Sequence, residues 1–576
     1  MNNSVSIAVT GSGGSGAVTT GLILLQAMAK AGYYGYMSRT AGPQIRGGES
    51  AVMMRFSNRP VHCGDDRFDV LLAMDWHKLE RFADEIPLDG NSLIFGDSAA
   101  GDIPEILTAS GAAFTALDLQ QTARSIEGGR ANMLGLGSLA RLLGLSGDTM
   151  RQALQATLGK KGEHIIAASM ACIEQGMGFD IGDHGQLQLP SSAAQDSHWN
   201  ISGNEACGLG ALRGGVRFVA AYPITPASDI LEWLAPRLEK LGGVLLQAED
   251  ELASVNMITG ASFGGVPSLT ATSGPGLSLM MEGLGLAVAS ETPIVAIDVM
   301  RGGPSTGIPT KSEQSDLNLA LYGFHGDAPH LVVAPLDISD CVFATHWAVC
   351  LAEQLQTVAL VLSDQSLGQT RAVMDKPPHA ELPCQRRIAH VQDIDVSQAF
   401  QRYQLTGDGV SPMSIPGTPA GMYTADGLEH TERGTPSSMA SDHDAQMRKR
   451  RDNLTAYNYG STWARIDGNG PVAIISWGST SAVCREAAER LASMGIPARV
   501  ISLRLLLPLN HRGINEVLQG CSSVVVIEQN QAGQLYHYLH AEQVLPPHAR
   551  SYAKPGPLTI RPGEVVTLIS GVINDE

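Results

Sequence analysis

The sequence predicts an α/β protein made of several doubly wound, mostly parallel sheets, and three observations carry that reading. Short apolar runs alternate with amphipathic helical stretches along most of the chain, the pattern of strand–helix crossovers. Gly and Pro punctuate the joins between them. With 576 residues, 44% hydrophobic and 17% charged, the chain is globular in composition and long enough for roughly three or four domains of ordinary size.

The first unit, residues 1–190, opens with VSIAVTGSGGSGAVTTG, an apolar strand followed by Gly11, Gly13, Gly14 and Gly16. A helix follows whose face carries Val18, Leu22, Leu25 and Ala29, and which Gly32 can end. The N–H groups of such a turn, backed by a helix N-terminus, attract a phosphate. The same glycines suit plain tight packing, and both readings stand. A nicotinamide site also needs an acid past the loop to hold the ribose. Here the second strand ends in YYGYMSRT, so NAD is disfavoured, while Arg39 leaves room for a 2′-phosphate. The stretch LPSSAAQDSHWNISG reads as a linker.

The alternation restarts near residue 200, with strands expected at Val216–Ala221, Val244–Gln247, Ser268–Thr272, Pro293–Val299 and Thr357–Leu362. Helix Asp229–Leu238 turns Ile230, Leu231, Leu234 and Leu238 inward, with Ser228 placed to cap it. Residues 381–465 lose the pattern and read as an extended, ordered connector that includes the run RKRRD at Arg448–Asp452. A last unit, 466–576, brings strand PVAIISW, a helix through Arg485 to Met494, strand ARVISL, and SSVVVIEQNQAGQL, a buried strand running into a polar turn.

Composition excludes several classes. The 57 acids outnumber the 39 bases for a net charge of −18, a field that repels nucleic acid and anionic membranes. No run reaches the ~18 apolar residues of a membrane span, and MNNSVSIAV lacks an export signal's basic and apolar regions, so a cytoplasmic protein is expected. Cys63, Cys172, Cys207, Cys341, Cys350, Cys384, Cys484 and Cys521 form no CxxC pair, and the histidines form no HExxH. No zinc or iron–sulfur site is encoded in sequence-local form, and the cysteines read as buried reduced thiols.

In the middle unit, polar residues gather where strands end, the place at which open α/β sheets bind ligands. In AAYPITPAS, Pro223 and Pro226 fix a loop that presents Tyr222 and Thr225. QAEDELASVNMITGASFGG sets Glu249, Asp250 and Glu251 at a helix start. Such acids either complement the helix dipole or, aimed into a closed apolar interface, hydrogen-bond a heteroaromatic nitrogen. TATSGPGLSLM, through Ser273 and Gly274, lets a flat ring approach the backbone. In DVMRGGPSTGIPTKSEQSDL, Arg301 can grip a carboxylate bidentately.

YPITP, the EDE helix start, TSGPG, RGGPSTGIPT, LTGDGVSP, EHTERG and VIEQNQAGQL follow one another in an order that resembles the alpha subunit of the 2-oxoacid:ferredoxin oxidoreductases. The 2-oxoglutarate type with an N-terminally fused gamma domain is the nearest likeness, since GSGGSGAVTTG and AGPQIRGGESAVMMRFS resemble the gamma unit. The resemblance spans nearly the whole chain. It implies a gamma domain over 1–190, a thiamine diphosphate pyrimidine-type domain over 200–380 and a transketolase C-terminal-like domain over 466–576.

The resemblance further implies CoA-dependent oxidative decarboxylation to acyl-CoA and CO2 with electrons passed to ferredoxin, a reaction that can also run reductively. Glu251 matches the carboxylate that hydrogen-bonds the aminopyrimidine of thiamine diphosphate; Tyr222, Pro223, Thr225, Ser273 and Gly274 match residues lining that ring. Thr225 matches a threonine beside the reacting centre, Arg301 the arginine on the substrate carboxylate, and Thr310 a further substrate contact. The cofactor's diphosphate, Mg²⁺ and a [4Fe–4S] cluster are implied on a separate beta subunit, in a dimer of alpha–beta heterodimers, and no metal is assigned to this chain. CoA is placed at Gly11, Gly13, Gly14, Gly16 and Arg46 of the gamma unit. Gly407–Asp408–Gly409 imitates a thiamine diphosphate–Mg²⁺ motif, but its partner asparagine is missing and Asn453 is too far along, so it is read as a turn. Two other readings are an NADP-linked dehydrogenase using the first loop and a noncatalytic scaffold.

Overall fold

The computed structural model describes residues 4–42, 48–182, 187, 189 and 198–574. They form two compact units. The first comprises 1–202, 369–377 and 561–564, and the second comprises 203–368, 378–560 and 565–576. Both hold strands and helices in alternation.

The first unit is built on an eight-stranded sheet with Ser4–Ser12 in its middle. On one side Val70–Ala73, Leu93–Asp97 and Ala113–Leu117 continue it in parallel. On the other side Glu49–Ser57, Tyr34–Ala41, Arg371–Met374 and Trp199–Ser202 run antiparallel to one another, so this sheet is mixed. The period-two alternation of a strand explains its two cores. Val5, Ile7 and Val9 point to a large cluster with Leu24, Phe56 and Leu134, while Ala8 joins Leu71, Ile94 and Phe82 on the opposite face.

Helix Ala17–Lys30 packs on the larger face through Ile23, Leu24, Ala27 and Met28. Of the face expected from sequence, Leu25 is fully buried while Val18, Leu22 and Ala29 sit at its margin. Gly32, at φ 88°, ends the helix in the left-handed region. Most of the expected linker, 190–197, lies outside the described residues.

The second unit contains two sheets. Seven strands run in the order Leu505–Leu507, Leu331–Val333, Val358–Asp364, Ile294–Met300, Ser268–Thr272, Phe218–Ala221, Val244–Gln247, parallel except for the first. Ile294–Met300 and Val358–Asp364 are buried along their whole length, which is why they read as unbroken apolar runs. The second sheet orders Ala464–Asp467, Ala498–Leu503, Val472–Trp477, Ser523–Glu528 and Arg550–Ala553. The strand Leu505–Leu507, continuous in sequence with this second sheet, pairs with the first one.

Two local expectations are corrected. Helix Ser228–Lys240 buries Ile230, Leu231, Leu234 and Leu238 as expected, but Ala227 is its N-cap and no side chain caps it. Ser228 already lies inside a turn, its N–H bonded to the Ile224 carbonyl at 3.1 Å. The connector also holds a regular 16-residue helix, Ala440–Thr455, which contains the RKRRD run. Its Lys449 reaches both Glu291 carboxylate oxygens at 2.7 Å, and its Arg450 reaches Glu429 at 2.8 Å. No described helix is long and apolar enough to cross a membrane.

Candidate active site

Strand order in the seven-stranded sheet reverses between Phe218–Ala221 and Ser268–Thr272, since the next strand in sequence after each lies on opposite sides. A crevice opens at the C-terminal ends of strands at such a switch point. The loop after Ala221 carries Tyr222, Pro223 and Thr225, all exposed. The turn after Thr272 carries Ser273 and Gly274, both buried, and Arg301 directly follows Met300 one strand further on.

Glu251 enters from the helix that follows Val244–Gln247. Asp250 caps that helix, its carboxylate accepting the Ala253 N–H at 2.7 Å. The three acids therefore divide their roles. Asp250 complements the helix start, Glu249 is exposed, and Glu251 is buried at 7% exposure. A Cβ placed on Gly276 would come within 2.1 Å of Thr272 Oγ1 and 2.7 Å of Glu251 Oε1. Only glycine leaves the floor beneath this carboxylate open. Ser273 Oγ, at the start of the helix that carries Gly276, is buried with no hydrogen-bond partner. A buried acid, an orphaned hydroxyl and a glycine floor suit the edge of a flat nitrogen heterocycle, and the aminopyrimidine of thiamine diphosphate fits that donor and acceptor set.

The structure ties Arg301 to Thr225: Nη1 donates to the Thr225 carbonyl at 2.6 Å, and the loop is held by Asn204, which donates to the Pro226 carbonyl at 2.9 Å. Arg301 is 7% exposed and its Nε is buried without a partner. Thr310 lies at the far end of the loop that starts at Arg301, whose hairpin closes with Ile308 N–H on the Gly302 carbonyl at 2.7 Å. Gly307 is obligatory there, at φ 57° with a Cβ position 1.7 Å from the Gly302 oxygen.

Two acids missed from sequence stand behind Arg301. Asp298 is fully buried in strand Ile294–Met300, and Asp316 lies against Gly274, whose Cβ would come within 2.5 Å of Asp316 Oδ2. Burial, then the charge of Asp316, push the Asp298 carboxyl well above the usual carboxylate range, with Arg301 acting the other way. Burial pushes Asp316 up to about 6, with Glu313 adding and Asp298 and Arg301 opposing. Burial thus pushes both carboxyls toward their neutral forms, and neither oxygen of Asp298 has a hydrogen-bond partner. The sequence did carry a signal, an aspartate inside the apolar run IVAIDVM, because a charged group rarely occupies such a strand without a partner.

VIEQNQAGQL turns out to brace this region. Gln314 donates to the Trp477 carbonyl at 2.8 Å and accepts from Gln529 N–H at 2.8 Å, while Asn530 donates to the Gln314 carbonyl at 3.1 Å. Glu528 receives the N–H groups of Leu535 and Tyr536 at 2.8 and 3.0 Å. The Gly407–Asp408–Gly409 motif is a turn, with Asp408 engaged by Arg387 at 2.5 Å and held at about 2 by that bond. Asn453, distant in sequence, does pack against Gly409, yet its amide donates to the Leu355 carbonyl at 2.7 Å.

In the first unit the strand runs on through Gly11 to Ser12, and Gly14 and Gly16 adopt φ of 92° and 90°. Gly16 is packed, since a Cβ there would lie 2.5 Å from Asn132 Nδ2. Gly14, Ser15 and Gly16 nonetheless border a cavity of about 430 Å³ that Arg124, Arg130 and Lys161 also line. Arg46 lies outside the described residues. Cys350 and Cys384 are bonded as a disulfide, which corrects the reading of all eight cysteines as reduced thiols. Their positions are 34 residues apart, so no local motif could announce the pair.

Three regions of the chain match family models. Residues 6–179 match pyruvate ferredoxin/flavodoxin oxidoreductase, 209–449 its thiamine diphosphate-binding part, and 462–534 the transketolase C-terminal domain. A 2-oxoglutarate synthase subunit KorA of Archaeoglobus fulgidus is 35% identical over 58% of this chain and 88% of its own length. The chain belongs to the 2-oxoacid:ferredoxin oxidoreductase family. An alpha subunit from Sulfolobus is 29% identical over 91% of this chain and 90% of its own. The solved 2-oxoglutarate:ferredoxin oxidoreductase of Magnetococcus marinus, with 2-oxoglutarate, coenzyme A and succinyl-CoA bound, is 35% identical with a TM-score of 0.90 and full coverage of both chains. As a 2-oxoacid:ferredoxin oxidoreductase, the protein is a thiamine diphosphate-dependent enzyme of fused gamma–alpha organisation, the alpha subunit of a multisubunit assembly. That membership replaces the alternative of an NADP-linked dehydrogenase.

The acid pair makes the stability of the oxidoreductase depend on pH in a stated direction. A carboxyl whose folded pKa is raised stabilises fully below its unfolded value, about 4, and this contribution is lost as pH rises through the folded value, about 6 for Asp316. Between pH 4 and 6, wild type therefore loses stability relative to Asp316→Asn. Denaturant midpoints across that range check it, and parallel curves for the two proteins count against a protonated pair.

Proposed function

We propose that this chain is the gamma–alpha half of a cytoplasmic 2-oxoglutarate:ferredoxin oxidoreductase, which forms succinyl-CoA and CO2 and passes electrons singly to ferredoxin. The observation that carries the proposal is Glu251, buried over a glycine floor at the same switch point as the Arg301–Thr225 pair. Thiamine diphosphate supplies the electron sink for decarboxylation when bound. Glu251 hydrogen-bonds the aminopyrimidine and holds a proton at the ring nitrogen, while Tyr222, Pro223, Ser273 and Gly274 line the ring. Arg301 grips the 2-oxoacid carboxylate and keeps the carbonyl carbon beside Thr225, with Thr310 as a further contact.

The beta subunit holds the diphosphate, Mg²⁺ and the [4Fe–4S] cluster, in a dimer of alpha–beta heterodimers. CoA approaches from the Gly11–Gly16 loop, with its phosphates toward the cationic cavity at Gly14, Arg124, Arg130 and Lys161.

The test pairs the chain with its beta subunit. CoA-dependent viologen reduction is expected with 2-oxoglutarate, less with pyruvate, and none from this chain alone. Arg301→Ala should raise KM by about 10- to 100-fold, the loss of one charged hydrogen-bonding partner, with a smaller effect on kcat. Turnover by the isolated chain, or an unchanged KM, would overturn the reading.

A further inference from the structure

Helix Ile338–Leu355 carries His346 and Cys350 one turn apart, so both side chains leave the same face. Both are buried, at 4% and 2% exposure. Across from them Cys384 arrives on the irregular segment that begins the connector, half-buried. The imidazole Nε2 of His346 lies 3.6 Å from Cys384 Sγ, and the ligand atoms of all three residues lie within 4.8 Å of one another. His379, at the start of the same segment, stacks its ring at 6.3 Å from that of His346.

A disulfide between Cys350 and Cys384 accounts for two of these residues and leaves the histidine unexplained. A buried imidazole aimed at a sulfur pair is costly to keep unless it serves as a ligand or hydrogen-bond partner. Two sulfurs and one imidazole from opposed elements form a donor set that favours zinc among the common divalent ions. Carboxylates, which would favour magnesium or calcium, are not part of the described cluster.

We propose that in the dithiol state His346, Cys350 and Cys384 bind one Zn²⁺, with the fourth tetrahedral position left to water or His379. Binding converts two thiols to thiolates and releases their two protons, with no change in oxidation state. The ion clips the segment around residues 379–384 to the helix, next to the contacts that Gln354 makes with the Pro383 carbonyl and Arg213 with the Pro378 carbonyl. The disulfide in the structure uses the same two sulfurs, so metal and disulfide exclude each other.

The experiment takes the full chain, reduced anaerobically with a phosphine and freed of metal, and titrates it with Co²⁺ and then Zn²⁺. The expected result is a tetrahedral ligand-field spectrum with a thiolate-to-cobalt charge-transfer band, saturating at one cobalt per chain and erased by one zinc. Cys350→Ser and Cys384→Ser should each remove most of the charge-transfer intensity. Each of these, and His346→Gln, should weaken zinc binding by at least about 10-fold, the lower bound for losing even an outer-shell partner. A reduced wild type that shows no such spectrum, or a Cys350→Ser/Cys384→Ser variant that keeps it, overturns the site.

Discussion

Replacing Glu251 by Gln in the assembled enzyme is expected to lower kcat by about 10²- to 10⁴-fold, the range spanned by a positioned proton-handling group. Gln fills the same volume, so the helix start and the contact over Gly276 persist. What disappears is a carboxyl able to hold a proton toward a ring nitrogen. Assembly with the beta subunit and KM for 2-oxoglutarate should change little, because neither depends on that proton. Turnover within ten-fold of wild type would mean that the buried acid serves packing alone, which is also what a noncatalytic scaffold requires.

The second large effect concerns the charged helix of the connector. Lys449→Met should destabilise the second unit by about 3–5 kcal/mol, the cost of leaving one member of a buried ion pair alone. Lys449 bonds both oxygens of Glu291, and the two side chains are 2% and 7% exposed. Arg402 remains 3.5 Å from the carboxylate and donates to the Glu291 carbonyl at 2.7 Å, which pulls the expected loss toward the lower end. The neighbouring Arg448, paired with Asp444 in the open at 64% and 58% exposure, serves as the control. Its replacement by Met should stay within about 0.5 kcal/mol. Denaturant unfolding of the two variants side by side decides the matter, and equal midpoints would deny the buried pair its role.

These two sites also mark what could and could not be read beforehand. Most strands of the second unit were legible because fully buried parallel strands are written as apolar runs, as in PVAIISW and ARVISL. Leu331–Val333 was too short to register. Helix Ala440–Thr455 escaped notice because its buried face consists of Gln446, Lys449, Arg450, Asn453 and Leu454. Those positions follow helical spacing, but the rule that finds helices looks for apolar residues there.

The candidate site divides in the same way. Glu251, Thr225 and Arg301 stood in short motifs at strand ends. Asp298 and Asp316 meet only through the fold, as do Cys350 and Cys384. The Gly-rich loop was ambiguous in sequence for a reason now visible: Gly16 meets a packing demand from Asn132 and, together with Gly14, also borders a cavity.

The mixed sheet of the first unit has a consequence for biosynthesis. Its strand Tyr34–Ala41 pairs on one side with Arg371–Met374, which in turn holds Trp199–Ser202. A ribosome making about 5–20 residues per second delivers that partner tens of seconds after the edge itself. Throughout that delay the nascent chain presents an unsatisfied row of backbone donors and acceptors, the kind of template on which chains aggregate. Helpers that shield emerging polypeptides should therefore matter for the yield of this protein.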